Sequence, residues 1–209
     1  NNGRMILKVP GPVSAGIILS YRCSGECKHC MYACSLKWSG GWISEGDLEK
    51  VLKNLSGRIR GPPLRAWYGI TADMGMDMEM GIGINYGIHL TGGEPFLNFD
   101  LLLKATRKLK ECGFPSAFVE TNSFWCVDDR SAMEKLLLLK SAGLQGLLVS
   151  VNPFVVEHVP FERIMRAVRI GRKVFGQNAL VYQEYFYHLF RKMELRETLP
   201  FDEYLRLVG

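Results

Sequence analysis

Short apolar runs alternate with amphipathic helical stretches along most of this chain, and that alternation constrains the fold more than any other feature. Apolar runs bounded by turn residues predict strands at 13–21, 86–91, 116–121, 146–151 and 179–185. Helical periodicity predicts a first helix capped by Ser44 and Asp47, with Leu48, Val51, Leu52 and Leu55 on one face and Gly57 as its stop. Further helices are predicted at about 98–112, 129–142, 161–175 and 201–207, with Gly113, Gly143 and Gly176 as stops and Pro160 as a start. Strands recurring about every 30 residues, each interval filled by a helix, are the signature of right-handed βα units around a parallel sheet. The fold class is therefore α/β. A closed eight-stranded barrel takes about 250 residues, whereas this chain has 209 residues and five such strands. An open doubly wound sheet or an incomplete barrel remains.

Composition removes other classes. With 47% hydrophobic and 22% charged residues, and no run near the ~18 apolar residues of a membrane span, disordered and transmembrane readings fail and no membrane partner is expected. A net charge of +5 is too small an excess to select an anionic partner. The chain opens Asn1-Asn2-Gly3-Arg4 without an initiator methionine, and the apolar run at 15–19 is shorter than a signal-peptide core. It reads as a cytoplasmic protein and as a fragment, expected to continue past Gly209 in a segment that closes the open side of the fold. One domain is expected over 1–209, with an insertion at about 57–85. There Met74, Met76, Met78 and Met80 read as gap-filling thioethers in preference to a soft-metal site. The pattern Gly81-Ile82-Gly83 through Gly87 precedes a strand and opens no helix, so it is not a dinucleotide loop. Arg163, Arg166, Arg169, Arg172 and Lys173 read as the solvated face of their helix, opposite Ile164, Met165 and Val168.

Six cysteines stand at 23, 27, 30, 34, 112 and 126, the first four within twelve residues. A disulfide framework would spread through a smaller secreted chain, so clustered thiols point to metal. The run Cys23-Ser24-Gly25-Glu26-Cys27-Lys28-His29-Cys30 follows the first strand directly. As a stripe on a helix these thiols would be inert core groups, but Gly25 and the preceding strand disfavour a helix. A structural zinc site expects two short ligand pairs, and no second C-x-x-C or H-x3-H exists. Three close thiolates suit three corners of a four-iron cluster, leaving the fourth iron open.

At these residues the sequence resembles the radical S-adenosylmethionine (radical SAM) enzymes, whose hallmark C-x3-C-x-aromatic-C lies after the first strand of a partial (β/α)6 barrel; His29 takes the aromatic position. A second match is Leu90-Thr91-Gly92-Gly93-Glu94-Pro95 after the second strand, where that family carries its GGEP motif. Glu120-Thr121-Asn122 and Ser150-Val151-Asn152 close the next two strands, where the family lines its cofactor pocket. The resemblance covers residues 13 to about 185. No sixth strand is visible before Gly209, nor any cysteine-rich segment for an auxiliary cluster.

The resemblance implies a partial (β/α)6 barrel and an oxygen-sensitive enzyme with a 4Fe-4S cluster on Cys23, Cys27 and Cys30. Its fourth iron is chelated by the amino and carboxylate groups of S-adenosylmethionine, whose reductive cleavage gives a 5′-deoxyadenosyl radical that takes hydrogen from a substrate. His29, Met31 and Tyr32 would lie near the adenine. Gly92 and Gly93 would hold the methionyl amino group, with Glu94 orienting their loop. Glu120, Asn122, Ser150 and Asn152 would reach ribose and carboxylate. Implied partners are an external electron donor such as a flavodoxin or ferredoxin and a substrate that is a peptide, a nucleic acid or a small molecule. The rival reading is an iron–sulfur electron carrier or a metal-stabilised binding domain without turnover. Cys34 and Cys126 are read as small buried hydrophobes, not ligands, whose loops leave the same rim and bring the two thiols together.

Overall fold

The computed structural model describes residues 11–59 and 87–208. The chain's first ten residues, the Met-rich part of the expected insertion and the glycine pattern beginning at Gly81 lie outside them. Five strands form one sheet: β1 (Ser14–Ile18), β2 (Gly87–Thr91), β3 (Ala117–Thr121), β4 (Gly146–Ser150) and β5 (Ala179–Tyr182). Their spatial order is β1-β2-β3-β4-β5 and every pairing is parallel. A doubly wound sheet reverses direction part-way; here each crossover steps one strand onward in the same direction. The helices follow suit: α1 (Glu45–Leu55) packs on α2 (Phe99–Glu111), α2 on α3 (Asp129–Ala142), and α3 on α5 (Phe161–Phe175), beyond the single turn α4 (Pro153–Val156). This is the wall of an open barrel, so of the two architectures left by the sequence it is the incomplete barrel that forms.

Strand alternation divides the sheet into two faces. Ile17, Ile88, Leu90, Val119, Leu147 and Val149 are buried in the core shared with the helices. The opposite face carries Gly16, His89, Phe118, Glu120, Leu148, Ser150, Leu180 and Tyr182, joined in register across neighbouring strands. Helix ends form where the side chains predict. Ser44 Oγ accepts from Asp47 N at 3.0 Å to cap α1, and Asp128 Oδ1 accepts from Ser131 N at 2.8 Å to cap α3. Gly143 ends α3 at φ +114, where a Cβ would stand 2.9 Å from Lys110 carbons.

Three expectations need correction. The fifth strand stops at Tyr182, not 185, because Gln183 turns at φ +63 and starts α6 (Glu184–Lys192). That helix was not foreseen; it buries Tyr187 and Phe190 against Phe161, with ring centroids 5.7 and 5.6 Å away. Second, the arginines of α5 are not simply a solvated face. Arg163 donates to the Phe124 carbonyl at 2.7 Å and Arg166 to the Cys126 carbonyl at 2.8 Å, while Arg166 and Arg169 both bind Asp129, at 3.1 and 2.6 Å. They clamp the β3–α3 loop; Arg172 and Lys173 are exposed. Third, the first strand is shorter than 13–21, although Leu19 N still donates to the Thr91 carbonyl at 2.9 Å. The chain's last helix is α7 (Phe201–Val208). No helix among the described residues is long and apolar enough to cross a membrane.

Candidate functional site

The segment after β1 is a loop of turns, not a helix, so the inert-stripe reading of its cysteines fails. It is laced to itself: Cys23 N donates to the Ser35 carbonyl at 3.2 Å, Ser35 N to the Tyr21 carbonyl at 3.2 Å, and Ile43 N to the Leu19 carbonyl at 2.8 Å. Turns at Cys30 N to Cys27 O (2.9 Å) and Ala33 N to Cys30 O (3.0 Å) coil the part between.

The ends of β3 and β4 pin this loop. Asn122 Nδ2 donates to Ser24 Oγ at 2.9 Å and approaches Cys23 Sγ at 3.7 Å. Asn152, 3% exposed, caps α4 by accepting from Phe154 N and Val155 N, and its Nδ2 meets His29 Nε2 at 3.2 Å. His29 stacks on Phe154 with centroids 4.8 Å apart, and Cys27 Sγ donates to the Phe154 carbonyl at 3.3 Å. A Cβ on Gly25 would stand 3.3 Å from the His158 ring. The two asparagines expected at ribose and carboxylate are thus engaged in shaping the cysteine loop.

The β2 turn fits against the same loop. Gly93 N donates to the Ser20 carbonyl at 2.8 Å and Glu94 N to the Arg22 carbonyl at 2.9 Å. A Cβ would fall 2.4 Å from Ser20 O at Gly92 and 2.0 Å from Arg22 O at Gly93, so only glycine allows this approach. The two N–H groups are therefore spent, and among the described residues the Gly92 and Gly93 carbonyls accept no hydrogen bond. Glu94, 1% exposed, lies behind the turn. It accepts from Asn122 N (2.7 Å), Thr121 Oγ1 (2.9 Å) and Phe96 N (3.2 Å), which ties the turn to β3. Burial pushes its carboxyl up to about 7, against the pull of those donors.

On the sheet's open face Glu120 gathers three partners. Ser150 Oγ donates to it at 2.8 Å, Thr91 Oγ1 at 3.3 Å, and His89 Nε2 stands 3.3 Å away without aligned hydrogen-bond geometry. Burial works to raise the Glu120 carboxyl, but His89, Ser150 and Thr91 together hold it below the usual range. His89 stacks on Phe118 with centroids 4.4 Å apart. Sequence reasoning did not single out His89, although it lies two residues before Thr91 and so shares its face.

The thiols are held neutral. Burial pushes Cys23 up to about 11 and Cys27 up to about 12, and each also feels the charge of Cys30. Burial lowers the His29 pKa. Met31 is 84% exposed, and Tyr32 meets Tyr21 edge-on with centroids 6.3 Å apart. Cys34 is buried beside Cys30, and burial followed by that neighbour's charge pushes it up to about 12. Cys126 does not approach it: that thiol lies in the core, among the charges of Arg166, Asp129 and Arg169. Among the described residues no three His, Cys, Asp or Glu side chains converge on a single ion. A four-iron cluster instead takes each thiolate on a separate iron, and soft sulfur donors are the set it uses.

No family model and no curated protein matches this sequence. Solved structures do. Native anSMEcpe with bound AdoMet and the Cp18Cys peptide, an anaerobic sulfatase-maturating radical SAM enzyme, superposes with a TM-score of 0.51 over 89% of this chain, at 14% identity. Native anSMEcpe with bound AdoMet gives a TM-score of 0.50 over 90% of this chain, at 16% identity. The fold is a partial radical SAM barrel. The chain spans about half the length of those enzymes, 49% and 52%. In a radical SAM barrel the carboxyl ends of parallel strands form the ligand-binding rim. Here that rim brings together the cysteine loop, the Gly92-Gly93 turn, Asn122 and Asn152, with Glu120 and Ser150 on the sheet face below.

Proposed function

We propose that this chain is the core of a radical SAM enzyme acting on a peptide, a nucleic acid or a small molecule. The observation that carries this reading is the fit between two distant motifs, the cysteine loop and the Gly92-Gly93 turn, whose backbones touch so closely that side chains are excluded. Cys23, Cys27 and Cys30 would hold a 4Fe-4S cluster, and burial of their thiols means that loading releases protons. When bound, the cluster and S-adenosylmethionine supply a reductively generated 5′-deoxyadenosyl radical that takes hydrogen from the substrate.

This chain's residues bind and orient. The Gly92 and Gly93 carbonyls would accept from the methionyl ammonium, while Glu94 fixes their turn from behind. Glu120, held as a carboxylate, and Ser150 offer acceptors for ribose hydroxyls. His29, Met31 and Tyr32 would flank the adenine. Asn122 and Asn152 keep the loop in shape. A second reading, an iron–sulfur electron carrier, draws on Cys34 lying beside Cys30 as a possible fourth thiolate.

One experiment separates the two. After anaerobic reconstitution, reductant and S-adenosylmethionine should yield 5′-deoxyadenosine and methionine, and Cys23→Ala, Cys27→Ala or Cys30→Ala should each abolish cluster and cleavage together. A reconstituted cluster whose spectrum ignores S-adenosylmethionine, with no cleavage, overturns the enzyme reading in favour of the carrier.

A further inference from the structure

The lacing of the cysteine loop leaves one surface free. Its other sides are taken by the Gly92-Gly93 turn, by Asn122 and by Asn152 with Phe154. The free surface is apolar and aromatic: Tyr21 is 43% exposed, Leu36 53% and Trp38 43%. Tyr21 packs on Trp38 with centroids 5.5 Å apart, and Trp38 Nε1 donates to the Ala33 carbonyl at 2.8 Å, so these rings form one fixed patch. The bonds between Tyr21, Cys23 and Ser35 place that patch directly on the segments bearing Cys23 and Cys34. The residues from Tyr21 to Ile43 carry three cations, Arg22, Lys28 and Lys37, against the single carboxylate Glu26. Lys37 binds Glu26 at 3.1 Å and keeps an 82% exposed side chain, and Arg22 is exposed.

We propose that this patch of Tyr21, Leu36, Lys37 and Trp38 is the docking surface for an acidic one-electron donor protein of the flavodoxin type. The inference rests on the proposed function, because only a cluster on this loop needs an electron from outside. Electron transfer falls steeply with distance, so the donor must meet the loop on the one side the fold has not covered. Redox encounters use small interfaces, under about 1,200 Å² in total, which an apolar patch of this kind with a cationic border suits. The border steers an acidic partner and makes association salt-dependent. In each encounter the reduced flavin loses one electron and the cluster gains one; no atom is transferred.

The test compares two reductants on reconstituted wild type, Leu36→Glu and Lys37→Glu, reading 5′-deoxyadenosine. With dithionite, which needs no docking surface, all three should cleave S-adenosylmethionine within about twofold of one another and hold equal iron. With reduced flavodoxin, both variants should fall about tenfold or more below wild type, and the wild-type rate should drop as salt rises. Equal flavodoxin-driven rates in wild type and variants, or a wild-type rate indifferent to salt, overturn the docking surface while leaving the enzyme reading intact. No cleavage by wild type with dithionite overturns the enzyme reading and this inference with it. Quenching of Trp38 fluorescence by a single-stranded oligonucleotide at micromolar concentration, lost in Trp38→Phe, overturns the choice of partner and assigns the patch to nucleic-acid stacking.

Discussion

The Asn122 side-chain amide donates to the Ser24 hydroxyl at 2.9 Å and stands 3.7 Å from the Cys23 sulfur, so the end of β3 holds the first cysteine of a loop that leaves β1. Asn122→Ala should cost about 1–2 kcal/mol in denaturant unfolding, the worth of one or two partly buried hydrogen bonds. The isosteric Asn122→Asp places a carboxylate beside a sulfur that must ionise to bind iron. Iron per chain after reconstitution should therefore be lower in the aspartate variant than in the alanine one.

Gly93→Ala should be severely destabilising, by about 3 kcal/mol or more, because its Cβ meets backbone at Arg22 O and cannot be accommodated by a rotamer change. Gly46→Ala is the control. Gly46 lies in α1 with open space around it, and alanine there should leave stability unchanged or raise it by about 0.5 kcal/mol. Thermal melts of the two variants decide whether close approach or mere glycine content matters.

Glu94 predicts a pH dependence. Its folded pKa is raised from 4.5 to about 7, so between those values the folded state binds more protons than the unfolded one. Its stabilising contribution is then full below about pH 4.5 and is lost as pH rises towards 7, on the order of 3 kcal/mol in all. Glu94→Gln removes that titration. The difference in unfolding free energy between wild type and Glu94→Gln should shrink as pH rises from 4.5 to 7, and a constant difference would refute the raised pKa.

Cys34→Ser should leave iron content and cofactor cleavage largely intact, at a cost of about 1 kcal/mol for a hydroxyl in a buried site. Loss of iron in that variant, comparable to Cys30→Ala, would make Cys34 a ligand.

The parallel βα framework was legible because strand runs and glycine stops repeat along the chain; α1 to α3 and α5 fall where their periodicity and caps put them. The helix Glu184–Lys192 was not. Residues 179–187 include Leu180, Val181, Tyr182, Tyr185, Phe186 and Tyr187, a run that suits a strand equally well, and the break depends on the left-handed turn at Gln183, which no glycine announces. Within the site, the cysteines and the glycine turn were visible as motifs. Asn122 and Asn152 were visible as polar strand ends, but whether they face a ligand or the cysteine loop depends on where that loop returns, a contact spanning about a hundred residues or more. The arginines of α5 likewise find their carbonyl partners only across 39 and 40 residues.

The span of those contacts has a consequence for how the protein is made. Cys27 bonds to Phe154 across 127 residues, and His29 leans on Asn152 across 123. While a ribosome is still building β3 and β4, the cysteine motif is an unshaped peptide near the chain's start, with nothing to fix its thiols. Iron delivery must therefore wait until synthesis has passed α4. A cell starved of iron would accumulate folded chains whose thiols are sheltered and still protonated, ready for late insertion.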